Sequence, residues 1–504
     1  MPLADFPGFA MHYVIKLFPE ITIKSRPVRQ RMTGILRENL LRLLRPVDAN
    51  IEIIREWDRL QIKSTLDDGQ QSRIVDVLQR TPGISNFLQI VDYAWVSMDD
   101  AFEKTRAVFG EQLRGKIFAV RCKRSGQHDF TSTEVEHRVG GLLHEHCETA
   151  GVNLHYPEVM VRLEVRDDRF AIVLRRYEGL GGFPLGTQDA VLSLISGGFD
   201  SSVASYLTMK RGLLTHYCFF NLGGRAHELG VKEVAVYLWL KYGASHRVKF
   251  VSVPFEDVVK EILERVHNSQ MGVILKRMML RAASQVACEW EIPALVTGES
   301  VAQVSSQTLQ NLSVINEVTD MLVLRPLITM DKTDIIHLAR KIGTEKFSIG
   351  MPEYCGVISV KPTTRAKLDK ILGEEEKFDF SMLESALANA RVVNIDEIVN
   401  GITHGQPVEI VSELGNSDVV IDIRHPDEQD QHPLLLASHP VIAMPFYLLR
   451  EQFAQLDVCK KYALYCDKGV MSQLHAQHLR DDGCTHVKVY RPVKPSPAPH
   501  QKTA

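Results

Sequence analysis

The chain has 504 residues, 45% of them hydrophobic and 24% charged, and 59 Lys and Arg against 62 Asp and Glu leave a formal net charge of −3. That length holds roughly three or four domains, and with neither a membrane-length apolar stretch nor a short apolar segment behind a basic start, no membrane partner is expected and the expected compartment is the cytoplasm. Eight cysteines without a Cys-x-x-Cys pair or a Cys/His zinc spacing argue against a disulfide scaffold and a structural metal site.

Residues 12–24 read as a strand, Tyr13-Val14-Ile15-Lys16-Leu17-Phe18, followed by a loop. Met32, Ile35, Leu36, Leu40, Leu43 and Leu44 recur at helical spacing, and Ile51 to Ile62 predicts a hairpin around Glu56-Trp57-Asp58, so the start is a small α+β unit. A helix near 70–80 and strands at 89–97 and 117–122 follow. Thr131 to Cys147 predicts a helix capped by Ser132 with Glu134 and Glu136 in its first turn, and strands then run from Glu158 to Val165 and from Phe170 to Arg175. Basic residues concentrate here. Residues 11–45 carry eight Lys and Arg against Glu20 and Glu38, and Arg114, Lys116, Arg121, Lys123 and Arg124 form a second cluster, a footprint that a phosphate backbone or water could equally explain.

The glycine-rich segment 179–186 reads as a linker. Pro184 stands where a dinucleotide fingerprint needs its last glycine, which rejects that motif. From 190 to 345, strands at 191–195, 214–220, 247–253 and 293–297 alternate with helical stretches, the pattern of a parallel α/β sheet. The first of these strands runs through Leu194-Ile195 into Ser196-Gly197-Gly198-Phe199-Asp200-Ser201-Ser202. Two glycines open the backbone N–H groups to an anion at a helix start, and three serines add hydroxyls. It is no Walker A loop, having no Gly-Lys-Ser/Thr end. Downstream, Thr297-Gly298-Glu299-Ser300 brings another glycine to the same sheet edge, with Gln303, Ser305, Ser306 and Gln307 nearby; Lys276, Arg325 and Lys332 add positive charge.

The acidic stretch 373–377 opens an expected linker ending near Gly405, and a last α/β unit runs from Glu409 to the strand His486–Tyr490, before a Pro-rich tail expected to be disordered. In that unit Cys466 ends the apolar strand Tyr462-Ala463-Leu464-Tyr465 and precedes a helix beginning near Ser472. Loop N–H groups, the helix N-terminus and Lys468 are expected to lower its thiol pKa. Cys355 lies in a loop beyond the central sheet. Cys122, Cys147, Cys218, Cys288, Cys459 and Cys484 lack a comparable setting and read as structural.

Ser-Gly-Gly-x-Asp-Ser at 196–201 resembles the pyrophosphate loop of the PP-loop ATP pyrophosphatases. Together with Gly298-Glu299-Ser300-x-x-Gln303-Val304-x-Ser306-Gln307-Thr308, Asp331-Lys332 and Ile342-Gly343-Thr344, it resembles the tRNA 4-thiouridine synthase (tRNA sulfurtransferase) family. Phe118 to Ser132 resembles the core of a THUMP domain, Phe18-Pro19-Glu20-Ile21-Thr22-Ile23-Lys24 the ferredoxin-like unit that precedes it, and Val419 to Glu428 the rhodanese signature of the family's long form. The implied fold is multidomain α/β and α+β: a ferredoxin-like domain at 11–70, THUMP at 71–176, a PP-loop domain at 177–372, a linker at 373–404, a rhodanese domain at 405–492 and a tail at 493–504. Residues 1–10 precede the match.

The resemblance implies ATP binding by Leu194, Ile195, Ser196, Gly197, Gly198, Asp200, Ser201, Ser202, Lys276, Gly298 and Gln307, with Asp200 assisting pyrophosphate loss through Mg2+ and Lys332 meeting a phosphate. It implies a persulfide on Cys466 and a resolving thiol at Cys355 that forms a disulfide with it. Lys24, Arg26, Arg29, Arg121, Lys123 and Arg124 are the candidate tRNA contacts. Implied partners are tRNA, a cysteine desulfurase as persulfide donor, a thiocarboxylate carrier protein for thiamine thiazole synthesis and an external reductant; a homodimer stays open. Two alternatives stand beside this reading: a PP-loop enzyme acting on another tRNA position, and a non-catalytic RNA-binding sulfur carrier.

Overall fold

Alternation of apolar and polar residues in the first part of the chain builds one long sheet. The computed structural model describes residues 12–349, 361–398 and 408–492, except positions 58, 67, 223, 425, 437, 459, 468, 469 and 482. These fall into two bodies: the described residues up to Gln188 with Met209–Leu213, and the remainder.

In the first body, β1 (His12–Leu17), β2 (Glu52–Arg55), β3 (Arg59–Lys63), β4 (Ile84–Ala94), β5 (Ile117–Ser125), β6 (Gly151–Val152), β7 (Val159–Arg166) and β8 (Arg169–Glu178) form an eight-stranded sheet in the order β2-β3-β1-β4-β8-β7-β5-β6. After the short α1 (Pro19–Thr22), the helices α2 (Arg26–Leu44) and α3 (Asp68–Arg80) bury Met32, Leu36, Leu40, Ile74 and Leu78 against Tyr13, Ile15, Leu60, Ile62 and Phe87. This is the β-α-β-β-α-β ferredoxin-like arrangement. Further along, α4 (Met98–Leu113) and α5 (Ser132–His146) bury Phe102, Phe109, Val135 and Val139 against Phe118, Val161 and Ile172.

Three expectations change. The boundary expected at 70 falls short, because α3 supplies the second helix of the ferredoxin-like core and β4, paired with both β1 and β8, is the strand the two halves share. Residues 179–188 belong with this body, since Phe183 is buried among Tyr13, Leu36 and Phe87. The cap of α5 is Thr131, not Ser132: extended backbone at Thr131 lets its hydroxyl accept from the Glu134 N–H (3.2 Å), while the Glu134 carboxylate accepts from the Thr131 N–H (2.6 Å).

In the second body, β9 (Ala190–Leu194), β10 (Leu214–Asn221), β11 (Lys249–Pro254), β12 (Ala294–Val296), β13 (Leu322–Leu324) and β14 (Arg391–Asn394) form a sheet in the order β13-β12-β9-β10-β11-β14, parallel except for β14. Strand order reverses at β9, with β10 on one side and β12 on the other. Such a switch point opens a crevice at the carboxyl ends of the strands. Around the sheet run α6 (Phe199–Lys210), α7 (Gly224–Leu238), α8 (Glu256–Arg265), α9 (Met271–Glu289), α10 (Leu309–Asn316), α11 (Lys332–Ile342) and α12 (Glu345–Ile349).

Most of the expected linker is folded. Residues 373–394 contribute to α13 (Leu368–Glu375), α14 (Ser381–Ala388) and β14, and Ile371, Phe378, Leu383 and Ala386 are buried with Phe255, Val258 and Met278. A second, smaller parallel sheet follows, ordered β15 (Ile410–Val411), β19 (Val487–Tyr490), β18 (Lys461–Tyr465), β16 (Asp418–Asp422), β17 (Val441–Ala443), with α15 (Pro426–Gln431), α16 (Phe446–Phe453) and α17 (Val470–Asp481). The tail at 493–504 and residues 1–11 lie outside the described residues.

Candidate functional site

Ser196 to Ser202 turns from β9 into α6, and its serines tie the turn to itself. The Ser201 hydroxyl accepts from the Ser196 N–H (3.1 Å), and the Ser202 hydroxyl donates to the Gly198 carbonyl (2.8 Å). Gly197 has φ +79°, which glycine adopts without strain. The loop after β12 crosses so closely that a Cβ on Gly298 would stand 2.6 Å from the Asp200 carbonyl carbon and 2.7 Å from the Ser201 nitrogen. Only glycine lets these two strand ends meet.

They enclose a cavity of about 380 Å³ lined by Leu194, Ser196, Gly198, Asp200, Lys276 and Gln307, among others. Two ionic groups border it. Asp200 is held by the Lys332 ammonium (2.7 Å) and by the Gln303 amide (2.7 Å), with Lys332 also 5.5 Å from the Phe199 ring centre. Glu299 accepts from Lys276 (2.9 Å), Arg325 (2.9 Å) and Thr297 (3.0 Å). Burial alone would raise the Glu299 carboxyl, but Lys276 and Arg325 outweigh it and hold the pKa below its ordinary value. Gln307 Oε1 is buried without a hydrogen-bond partner among the described residues, an acceptor on the cavity wall suited to a ligand N–H donor.

Most of the central residues singled out in the sequence line this cavity, Lys332 from the first turn of α11 and Lys276 from α9; Gly197 and the fully buried Ser202 belong to the turn but not to the lining, and Arg325 reaches it only through Glu299. Two neighbours had no sequence signal. His227 makes a hydrogen bond to the Ser196 backbone and packs edge-on against Phe219 (4.9 Å between centres); burial lowers its pKa while that bond opposes the shift. The Ser348 hydroxyl, on α12, donates to the Gly197 carbonyl (3.0 Å).

In the smaller sheet Cys466 directly follows β18, and its Sγ lies 3.4 Å from the Ser472 hydroxyl and accepts from the Ser472 N–H at 3.3 Å. The expected low thiol pKa is corrected. Burial pushes the Cys466 thiol up, and the donors at Ser472 and Met471 offset that only in part, with the Asp467 carboxylate adding to the rise. Lys468, expected to oppose it, lies outside the described residues, as does Cys355. Arg424 fastens the turn, donating to both Asp422 oxygens (2.9 and 2.6 Å) and to Asp467 (3.1 Å), while the Tyr465 hydroxyl also reaches Asp467 (2.9 Å).

On the first body Lys24, Arg26 and Lys123 are exposed. The other three basic candidates are engaged: Arg29 stacks 4.5 Å over Trp57, Arg121 meets Glu136 (3.4 Å) and the Leu154 carbonyl (3.0 Å), and Arg124 lies 3.2 Å from His128. Among the described residues no group of three or more His, Cys, Asp or Glu side chains clusters as metal ligands, and no helix is long and apolar enough to cross a membrane.

A parallel sheet with a glycine-rich turn at its switch point, in a chain that also carries a ferredoxin-like unit and an adjoining α/β half, defines a protein with a PP-loop-like domain behind a ferredoxin-like one. Residues 12–87 match the family described as ThiI ferredoxin-like domain, 96–175 the THUMP domain, and 186–380 Thiamine biosynthesis protein (ThiI). The chain is 56% identical to the tRNA sulfurtransferase of Saccharophagus degradans and 55% identical to that of Azotobacter vinelandii, over 96% of its own length and all of theirs. It belongs to the tRNA sulfurtransferase family. Its fold is also similar to a crystal structure of a 4-thiouridine synthetase–RNA complex with bound ATP, at 26% identity and a TM-score of 0.67 over 76% of this chain and 99% of that one.

Proposed function

We propose that this chain is a cytoplasmic enzyme that converts uridine at tRNA position 8 to 4-thiouridine, using ATP and a persulfide carried on Cys466. The carrying observation is the Asp200 cluster: one carboxylate gripped by Lys332 and Gln303 inside a glycine-lined crevice at the switch point. Leu194, Ile195, Ser196, Gly197, Gly198, Ser201, Lys276 and Gly298 would hold ATP, with Ser202 bracing the turn through the Gly198 carbonyl and the unpartnered Gln307 oxygen accepting from the adenine amino group. Mg2+, if present, would be held chiefly by phosphate oxygens with Asp200 as the protein carboxylate, and would neutralise phosphate charge.

Uridine O4 attacks the α-phosphorus, pyrophosphate leaves with Lys332 near its charge, and N3 gives up its proton as O4 becomes part of an AMP ester. The terminal persulfide sulfur of Cys466 attacks C4 and displaces AMP, leaving C4 joined to Cys466 through a disulfide. The Cys355 thiolate then attacks the Cys466 sulfur, closing a Cys355–Cys466 disulfide and releasing the thiolated base, which regains a proton at N3. A two-electron thiol reductant restores both cysteines, and a cysteine desulfurase reloads Cys466.

The smaller sheet, with Cys466 between a strand end and a helix start, supports reading residues from about 408 to 492 as a rhodanese domain. The same persulfide would serve a thiocarboxylate carrier for thiamine thiazole synthesis. The ferredoxin-like and THUMP regions would bind tRNA by phosphate contacts, led by the exposed Lys24, Arg26 and Lys123, with Arg29, Arg121 and Arg124 limited by the partners they already have.

The test uses purified protein, unmodified tRNA, ATP, cysteine and a desulfurase. One AMP and one pyrophosphate are expected per 4-thiouridine; Asp200→Ala abolishes all three, whereas Cys466→Ser abolishes 4-thiouridine and the AMP that sulfur displaces but still releases pyrophosphate as adenylated tRNA forms. Sulfur transfer by Asp200→Ala at the wild-type rate would refute adenylation here and favour a sulfur carrier.

A further inference from the structure

The two elements that hold the PP-loop from behind are the two on which the Cys466-bearing sheet rests. His227, near the start of α7, hydrogen-bonds the Ser196 backbone, and Ser348 of α12 bonds the Gly197 carbonyl. One residue before Ser348, Phe347 stacks on Phe446, with ring centres 4.3 Å apart and planes 23° from parallel. Tyr237, near the end of α7, packs against both rings, at 5.1 Å from Phe347 and 5.9 Å from Phe446. Glu233, one turn earlier on α7, lies 3.7 Å from Nδ1 of His475, whose ring is 6.1 Å from Phe446.

Both contacts on the smaller sheet lead to the sulfur site. His475 stands on α17, three residues after the Ser472 that bonds Cys466. Phe446 opens α16, and its N–H donates to the carbonyl of Ile423, next to the Arg424 that pins Asp467. From α12 the chain runs directly into the segment that contains Cys355, six positions after Ile349.

We infer that Phe446 is a positioning residue for adenylation: by seating the Cys466-bearing sheet on α7 and α12, it fixes the PP-loop backbone that receives ATP. A nucleotide loop needs its N–H groups aimed within a few tenths of an ångström, and packed aromatic contacts transmit displacement because protein interiors are dense. Without the stack, Phe347 and Tyr237 lose one wall, and the Ser348–Gly197 bond loses the support of its neighbour. The chain would then activate uridine well only when the sulfur-carrying sheet is docked, limiting adenylated tRNA made without a sulfur source at hand. This rests on the reading of the crevice as an ATP site.

The experiment follows pyrophosphate release against ATP concentration in the full-length protein with unmodified tRNA. Phe446→Ala is expected to raise KM for ATP about fivefold, Phe446→Tyr to restore it, and iodoacetamide to label Cys466 in both at the wild-type rate, which establishes that the smaller sheet is folded. Glu233→Gln, which alters the central side alone, is expected to move KM the same way by about twofold. Wild-type KM in both Phe446→Ala and Glu233→Gln overturns the inference. A wild-type protein that consumes no ATP overturns instead the reading of the site.

Discussion

Cys466 shows how one residue's surroundings decide its chemistry. Its place at a strand end before a helix predicts a stabilised thiolate, yet the sulfur is buried, and removal from water favours the neutral thiol more than the donors at Ser472 and Met471 favour the anion. A group whose pKa is raised in the fold stays protonated until the pH passes that raised value. Alkylation of Cys466 by iodoacetamide should therefore rise with a midpoint above the ordinary thiol value of 9.0, and Ser472→Ala, which removes one donor, should move it higher still. A midpoint below 9.0, or one that Ser472→Ala lowers, contradicts this account. The low-pKa expectation failed because sequence spacing reveals a helix start but not the depth at which the sulfur sits.

At the scale of elements, the clearest misreading is the stretch after residue 372. Its run of glutamates looks like a solvated linker, but Glu375 is buried and its two oxygens take the Arg277 guanidinium at 2.6 and 3.0 Å, so α13 is fastened to α9. Arg277, fully buried, also bonds the Val314 carbonyl and Glu317. A charge paired in three dimensions with a partner 98 residues away reads locally as polar surface. Arg277→Met should cost about 3 kcal/mol by leaving Glu375 buried with only Arg281 beside it, and adding Glu375→Leu should recover most of that loss. Urea denaturation of the two variants checks this; a double variant as unstable as the single one would contradict the pairing.

Across the whole molecule, what the sequence made legible was chemistry carried by contiguous motifs. The turn at 196–202, the glycine at 298 and Lys332 are legible because each sits at a strand end or helix start, and the alternating pattern brings those ends to one edge. The ferredoxin-like and THUMP halves were legible as types but not as separate sheets, since β4 serves both. His227 and Ser348 were not legible as site supports. They act on backbone atoms of the turn, and nothing in their own neighbourhoods distinguishes them from ordinary polar residues. The central claim is that nucleotide activation in the β9–β12 crevice and sulfur from Cys466 serve one reaction on tRNA. Mass analysis of tRNA nucleosides from cells lacking this chain, complemented with wild type, Asp200→Ala or Cys466→Ser, tests it most directly. The account predicts no 4-thiouridine without the chain, recovery with wild type and none with either variant; 4-thiouridine that persists without the chain, or returns with Asp200→Ala, would contradict it.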